Sequence, residues 1–173
     1  MLFNFSSRSS SADNPSGAKV KLGNLIKPFQ ARAFPCLMYW PAKFALLYTV
    51  VVVDVDYPDK PRQANDCLLH FLACNVHAND IFKGDILADY LPPIPDQASK
   101  MSPHRIVFLV YEQKKYSPTI ERRLLSKHFG NRHEFNLKEF CSKYDLSRPT
   151  FGNFFITQYD SHVDKCWRDL ERN

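Results

Sequence analysis

Glycine is scarce in this sequence, with five in 173 residues. A loop that wraps a phosphate group usually needs several glycines, because a residue without Cβ lets the backbone approach the ligand closely. The sequence also lacks a P-loop, a Gly-x-Ser-x-Gly elbow and a His-Glu-x-x-His helix. These absences argue against the common nucleotide-binding, serine-hydrolase and zinc-protease classes, and we expect a protein that is not an enzyme.

Cysteine is present, but its spacing is not typical of a disulfide framework or a zinc site. A disulfide framework needs an even number of cysteines, and a zinc cluster needs closely spaced pairs. The sequence has an odd number without any Cys-x-x-Cys pair: Cys36, Cys67, Cys74, Cys141 and Cys166. We expect reduced thiols, mostly buried, and we predict neither a metal nor a cofactor.

No apolar run reaches the length of a membrane-spanning helix. The longest, residues 44–53, is about half of the roughly 20 residues that a span requires. Residues 1–19 are rich in serine and lack the apolar core of a secretory signal. We predict that they form a disordered or weakly ordered tail, with a mitochondrial presequence as the alternative, and that the protein is a cytoplasmic monomer with at most peripheral membrane contact.

The charge balance is mildly basic, with a net charge of +5 and a pI near 8.9. Such a balance favours an anionic partner, for example a phosphate group or an acidic surface. The lysines and arginines are scattered along the chain, with short clusters only at Lys114-Lys115 and Arg122-Arg123. This distribution is typical of a solvated surface, and we expect no nucleic-acid binding.

Three apolar runs predict β-strands. Leu46–Val53 is rich in β-branched residues without polar alternation, which is typical of a strand buried on both faces near the middle of a sheet. Leu68–Val76 and Arg105–Tyr111 have the length and composition of further strands. Between them, the proline-rich run Leu91–Pro95 predicts a structured loop.

The C-terminal part of the sequence predicts two short helices. Asn136 is followed by apolar residues at helical spacing, and Glu139 completes the pattern of a capping box. A strand at 154–159 leads to Asp160 or Ser161 as the cap of the second helix. We find no internal repeat, so the simplest organisation is one domain at residues 20–173.

Several blocks in this order resemble the phosphatidylethanolamine-binding protein family, which includes the Raf kinase inhibitor protein. The segment 54–58, Asp-Val-Asp-Tyr-Pro, resembles the family's Asp-Pro-Asp-x-Pro turn. The strand around His70 and the block His104–Gln113 resemble two further family motifs. The resemblance covers residues 20–173 and implies a mainly β fold, an antiparallel β-sandwich with a few short helices, including a C-terminal helix.

The resemblance also implies a small anion pocket that holds a phospholipid head group. Imidazole N–H groups suit a phosphate, and a carboxylate can fix a histidine tautomer or receive an ammonium group. By this resemblance the ligand-binding residues are Asp54, Asp56, Pro58, His70, Pro95, His104 and Trp167. Two of them also have a purely structural explanation, since His70 could be a hydrogen-bonded core histidine and Asp54 could cap a turn.

The family pattern changes mainly at the pocket. Residues that replace the usual proline, histidine, tyrosine, glycine-rich wall and pocket tyrosine are Val55, Leu69, Ile106, Asp96 and Trp167. Polar donors have therefore been lost, and Asp96 would repel a phosphate. We predict weak binding of phosphate-bearing head groups and a preference for a more apolar ligand.

These inferences lead to three candidate functions. The first is a non-catalytic binding protein whose small anionic or apolar ligand regulates a signalling partner such as a kinase. The alternative is a structural interaction module, as in the mitochondrial ribosomal large-subunit protein with a related domain. The third is an enzyme, for which the proximity of Ser102 and His104 in the sequence is the best available argument. A metal site built from Asp54, His70 and His104 has no support from local spacing.

Overall fold

The computed structural model of the protein describes residues 2–5, 18–35, 37–57, 66–95, 102–118, 121–125 and 129–171. The strands are β1 Leu2–Phe5, β2 Ala18–Val20, β3 Asn24–Leu25, β4 Leu37–Tyr39, β5 Leu47–Asp54, β6 Asp66–His77, β7 Asp85–Ala88, β8 His104–Gln113, β9 Phe135–Asn136 and β10 Phe151–Thr157. The α-helices are α1 Leu137–Lys143 and α2 Ser161–Glu171, and short 3-10 turns cover Pro28–Ala31, Ile81–Lys83 and Phe129–Asn131.

The strands form a large and a small sheet. The large sheet has the order β3-β10-β8-β5-β6-β7, and β9 pairs with β6 beside this path. The small sheet has the order β2-β1-β4. Val20 of β2 and Met38 of β4 belong to the same buried cluster as residues of β5, β8 and β10, so the two sheets share one apolar core.

β5 lies in the middle of the large sheet, between β6 and β8, and pairs antiparallel with both. Residues 48–54 are buried without alternation, as the β-branched run predicts. Val50 and Val52 face the core shared with the small sheet. Val51 and Val53 face a second cluster, which is covered by Phe140 of α1. The prediction of a central strand buried on both faces is therefore confirmed.

The fold is mainly β, as predicted, but the prediction of an antiparallel sandwich was wrong in one pairing. β3 runs parallel to β10, with Asn24 opposite Phe155 and Leu25 opposite Ile156. The large sheet is therefore mixed. A hairpin dictates antiparallel pairing only for the two strands that it joins. β3 and β10 are separated by most of the chain, so no turn fixes their relative direction.

The caps of both helices follow from local sequence. The Asn136 side chain accepts a hydrogen bond from the Glu139 backbone N–H at 3.1 Å, which confirms the predicted N-cap of α1. Asp160 Oδ1 accepts from the His162 backbone N–H at 3.0 Å, so Asp160 rather than Ser161 supplies the side-chain oxygen at the start of α2. Val163 of α2 is buried in a cluster with Leu68, so α2 packs against the end of the large sheet where β6 begins.

The N-terminal segment contains regular structure among its described residues. β1 lies within residues 1–19, which the sequence alone assigns to a tail, and it pairs with both β2 and β4. Residues 6–17 lie outside the described residues, so the domain boundary at residue 20 stays a prediction. None of the described helices is long and apolar enough to cross a membrane.

Four of the five cysteines lie in the described residues, and all four are free thiols. Cys67 and Cys74 are buried, whereas Cys141 and Cys166 are partly exposed. Cys36 lies outside the described residues. Burial raises the pKa of the Cys67 thiol to about 12 and that of Cys74 to about 11, so both stay protonated near neutral pH.

Candidate ligand-binding site

Three neighbouring strands have a terminal residue at the same end of the large sheet. Asp54 is the last residue of β5, His104 the first of β8 and Thr157 the last of β10. His104 lies directly opposite Thr157, and Asp54 lies opposite Ile106. Because side chains two residues apart on a strand share a face, Asp54, His104 and Thr157 all lie on the same face of the sheet.

Asp54 and His104 form a buried pair. Their Oδ2 and Nδ1 atoms are 2.6 Å apart, and their side chains are 2% and 1% exposed. The carboxylate fixes the imidazole tautomer, because Nδ1 must carry the proton that it donates to Asp54. The second carboxylate oxygen accepts from the Asp56 backbone N–H at 2.9 Å and closes the turn after β5.

A β-bulge positions His70. Val52 pairs with Phe71 and Val53 pairs with Leu69, so His70 is the extra residue between the two pairs. Bulges re-aim one side chain of a strand and are common beside binding sites. His70 Nδ1 lies 2.8 Å from the Leu91 carbonyl oxygen, and the Leu91 backbone N–H donates to the His70 carbonyl at 2.8 Å. Two hydrogen bonds therefore hold the first residue of the predicted loop Leu91–Pro95 to the bulge.

The second imidazole nitrogen of His70 is a buried hydrogen-bond acceptor. Because Nδ1 donates to Leu91, Nε2 carries a lone pair, and it has no hydrogen-bond partner in the described part of the chain. Burial lowers the pKa of His70, so the ring is neutral near pH 7; the charge of nearby Asp54 opposes this effect and that of Arg132 adds to it. His70 Nε2 can therefore accept a hydrogen bond from an O–H or N–H group.

A second buried polar atom lies on the same side. Thr157 Oγ1 is buried and has no hydrogen-bond partner among the described residues. Its strand position opposite His104 places it beside the buried pair. Sequence reasoning did not predict Thr157, because a threonine at the end of a strand is common in any β protein.

Asp56 is placed near the pair, but its carboxylate is already engaged. Oδ2 accepts from the backbone N–H and Nε–H of Arg105, both at 2.8 Å, and Oδ1 accepts from Nη2 at 2.7 Å. These hydrogen bonds lower the pKa of Asp56. Asp56 therefore holds the turn that carries Asp54 against β8, rather than offering a free acceptor to a ligand.

A row of aromatic rings runs from His104 to α2. The ring centroids of Tyr57 and His104 are 6.4 Å apart, as are those of Tyr57 and Phe129, and Phe129 meets Trp167 edge-on at 4.8 Å. We call Tyr57, Phe129 and Trp167 the aromatic wall. Trp167 was predicted as a site residue, whereas Phe129 was not, because its contact with α2 depends on tertiary packing.

The remaining predicted site residues are less well defined. Pro95 is buried at the end of the loop whose first residue, Leu91, binds His70. Pro58 lies outside the described residues.

No group of three or more histidine, cysteine or acidic side chains in the described ranges has a geometry suited to a metal ion.

Arg132 binds the backbone next to the site, and the sequence analysis did not predict it. Its side chain is fully buried, and its guanidinium donates to the carbonyls of Leu69 and His70 at 3.2 and 3.4 Å. It also donates to the carbonyls of Leu124 and Leu125, both at 3.0 Å. Burial lowers the pKa of Arg132 to about 10, which leaves it charged. Arg132 therefore fixes the backbone at the bulge that carries His70.

Comparison with known proteins shows which family this chain resembles in sequence. The family model for "Phosphatidylethanolamine-binding protein" matches residues 19–153. A curated Drosophila melanogaster protein, "Putative odorant-binding protein A5", is 28% identical over 151 residues, which are 87% of this chain and 70% of that protein.

Solved structures share the fold. The "CG7054 solution structure" superposes with a TM-score of 0.69 at 24% identity and covers 98% of this chain and 90% of its own. Carboxypeptidase Y inhibitor, solved with its cognate proteinase, gives 0.61 at 23% identity over 92% and 83% of the two chains. The phosphatidylethanolamine-binding protein from Plasmodium vivax gives 0.53 at 14% identity over 92% and 86%.

Proposed function

The chain belongs to the phosphatidylethanolamine-binding protein family, and on that premise we propose that it is a non-catalytic protein that binds a small ligand at the His70 and His104 end of the large sheet. One observation carries the proposal. His70 Nε2 is a buried acceptor with no partner among the described residues. An unsatisfied buried acceptor costs about 1–3 kcal/mol, a cost that a ligand hydrogen bond would remove.

The groups around His70 favour a particular ligand chemistry. A neutral imidazole with Nδ1 already donating can only accept at Nε2, so the ligand should bring an O–H or N–H group. Tyr57, Phe129 and Trp167 offer apolar surface for the rest of the molecule. A fully ionised phosphate has no proton to donate and would lie near the Asp54 carboxylate. We therefore propose a small, mostly apolar ligand with one donor group, and weaker binding of phosphate-bearing head groups.

The relatives are consistent with a small ligand. The name of the Drosophila relative refers to odorant binding, and odorants are small molecules. The proposal includes control of a protein partner such as a kinase by the bound ligand, in the cytoplasm. The solved carboxypeptidase Y inhibitor complex supports this part only in showing that the fold can contact another protein. A structural module, the alternative function, needs no ligand at His70.

Ligand titration tests the proposal. The probes are N-phenylnaphthylamine, which has one N–H group and an apolar body, decanol as its competitor, and phosphorylethanolamine. We expect the fluorescence of N-phenylnaphthylamine to report its binding. Decanol should displace this probe, and phosphorylethanolamine should displace little of it. His70→Gln should weaken binding about tenfold, as loss of one hydrogen bond in a buried site predicts. His77→Gln is the matched control, since His77 ends the same strand and is exposed.

A second measurement keeps the test independent of the variant's folding. The imidazole nitrogen resonances of His70 in the wild-type protein should shift when N-phenylnaphthylamine is added. Tight phosphorylethanolamine binding with no effect of decanol would contradict the proposed ligand class. Absence of binding by all three probes, combined with co-sedimentation with mitochondrial ribosomes, would favour the structural module.

A further inference from the structure

The end of the large sheet opposite His70 and His104 carries two neighbouring loops. Loop 40–46 precedes β5, and loop 78–84 follows β6, whose last residue, His77, pairs with Leu47. The Ala78 backbone N–H donates to the Leu46 carbonyl at 3.3 Å, and the Asn79 side chain donates to the Trp40 carbonyl at 3.4 Å. These contacts hold the two loops side by side.

Each loop presents an exposed phenylalanine beside a lysine. Phe44 is 83% exposed and Phe82 is 82% exposed, the highest values among the large hydrophobic side chains of the described residues. Trp40 and Ile81, in contrast, are buried in the core, so both loops are anchored from below. Two protruding rings on anchored loops indicate an interaction surface rather than a local packing fault, since exposed apolar surface of this kind has a cost in water.

The surrounding charge is weakly basic. Lys43 and Lys83 flank the rings, and Lys114 and Lys115 follow β8, whose last residue pairs with Leu47. The side chains of Lys43, Lys83 and Lys114 are 64–74% exposed. Each pairs with one carboxylate, that of Glu112, Asp80 and Asp145 respectively. Exposed pairs of this kind are weak, so the lysines remain able to contact another anion.

We propose that this end of the protein, the phenylalanine tip formed by Phe44, Phe82, Lys43 and Lys83, docks on an anionic lipid surface. Each loop has a protruding ring with a lysine adjacent to it in the sequence, Lys43 directly before Phe44 and Lys83 directly after Phe82. Such an arrangement suits a lipid interface, where the ring enters the apolar layer and the ammonium group stays at the level of the phosphates.

The tip lies far from the proposed ligand site. β5 starts beside the tip at Leu47 and ends at Asp54, and eight residues of strand span about 26 Å. Docking through the tip would therefore leave the His70 and His104 end open to the aqueous side. The inference goes beyond the proposed function and does not depend on it.

Vesicle flotation tests the inference. The probes are vesicles of phosphatidylcholine alone and vesicles with about a quarter phosphatidylserine, which carry a negative surface potential. We expect the wild-type protein to float with the anionic vesicles and the double variant F44S/F82S to lose about tenfold in binding, because both apolar anchors are removed. L22S/L25S is the matched control, since Leu22 and Leu25 are also exposed but lie on another part of the fold.

Two charge variants extend the test. K43Q/K83Q should reduce binding several-fold, an effect that should shrink as salt is added. K19Q/K21Q removes the same number of exposed positive charges near β2 and should have no such effect. Failure of the wild-type protein to bind anionic vesicles, or equal binding by F44S/F82S, would overturn the inference. A dimer that dissociates in F44S/F82S would also overturn it, because the tip would then join two copies of the chain.

Discussion

The Nδ1 atom of His104 lies 2.6 Å from Oδ2 of Asp54, in a pair that is almost wholly buried. The two residues are 50 positions apart in the sequence, and the antiparallel pairing of β5 and β8 brings them together. A second acid, Asp56, lies two residues further along but pairs with the exposed Arg105. We therefore expect the neighbouring acids to make different contributions to stability.

Removal of the buried acid should be much more costly than removal of its neighbour. Asp54→Ala leaves the His104 N–H without its acceptor in a buried position, and we expect a loss of about 3 kcal/mol in the free energy of unfolding. Asp56→Ala, the control, removes a partly exposed ion pair and should cost about 1 kcal/mol. Urea denaturation measures both. Equal losses would show that burial of the pair does not determine its contribution.

The buried neutral His70 should make stability depend on pH. In the folded state, burial lowers the pKa of His70 below its ordinary value of 6.5. The unfolded chain therefore binds the proton first as the pH falls. The contribution of His70 is therefore fully present above about pH 6.5 and is lost as the pH falls towards the lowered value. Urea denaturation between about pH 5 and 7 should show stability rising with pH.

The variants used for ligand binding also identify the source of this pH dependence. His70→Gln should flatten the rise, whereas His77→Gln, at an exposed position of the same strand, should retain it. The lowered pKa of Asp56 acts below 3.8 and therefore falls outside this range. An identical slope in His70→Gln and the wild-type protein would rule out His70 as the cause.

Arg132 should be important for stability although it has no role as a ligand contact. Arg132→Ala leaves four backbone carbonyls without their charged donor, and we expect a loss of about 3 kcal/mol or more. Arg123→Ala is the matched control, because its exposed pair with Asp89 should contribute about 1 kcal/mol or less. Urea denaturation compares the two, and a similar small loss for both would contradict the supporting role of Arg132.

Trp167 should contribute to the affinity for an apolar ligand. Trp167→Ala removes one face of the aromatic wall, and we expect the Kd for N-phenylnaphthylamine to rise about tenfold, which corresponds to about 1.4 kcal/mol. Tyr116→Ala is the control, since Tyr116 is 60% exposed at the opposite end of the sheet. Equal Kd values for Trp167→Ala and the wild-type protein would place the ligand elsewhere.

Local sequence was informative wherever the structure depends on near neighbours. The β-branched run predicts β5 as a buried central strand, and Asn136 with Glu139 predicts the start of α1. The resemblance predicted Asp54, His70 and His104 as neighbours, because a family motif carries positions that its fold has already brought together. The ligand role of these residues stays a prediction.

The hydrophobicity of single residues was less informative. Phe44 opens the longest apolar run in the sequence, yet it is 83% exposed, while Val50 in the same run is fully buried. The hydrophobicity of a residue indicates what exposing its side chain costs. It does not show whether the residue lies before the strand or within it. That position is set by the turn at 43–46, which ends before β5 begins.

The sequence by itself determined a mainly β chain with a buried central strand, two short C-terminal helices and the motifs of a known family. Only the tertiary structure decided the parallel pairing of β3 with β10, the bulge at His70 and the buried contacts of Arg132. The physical reason is the range of the interactions. Caps and strand propensity act over a few residues, whereas register, bulges and buried hydrogen bonds join segments that are distant in the chain and become favourable only after the core has packed.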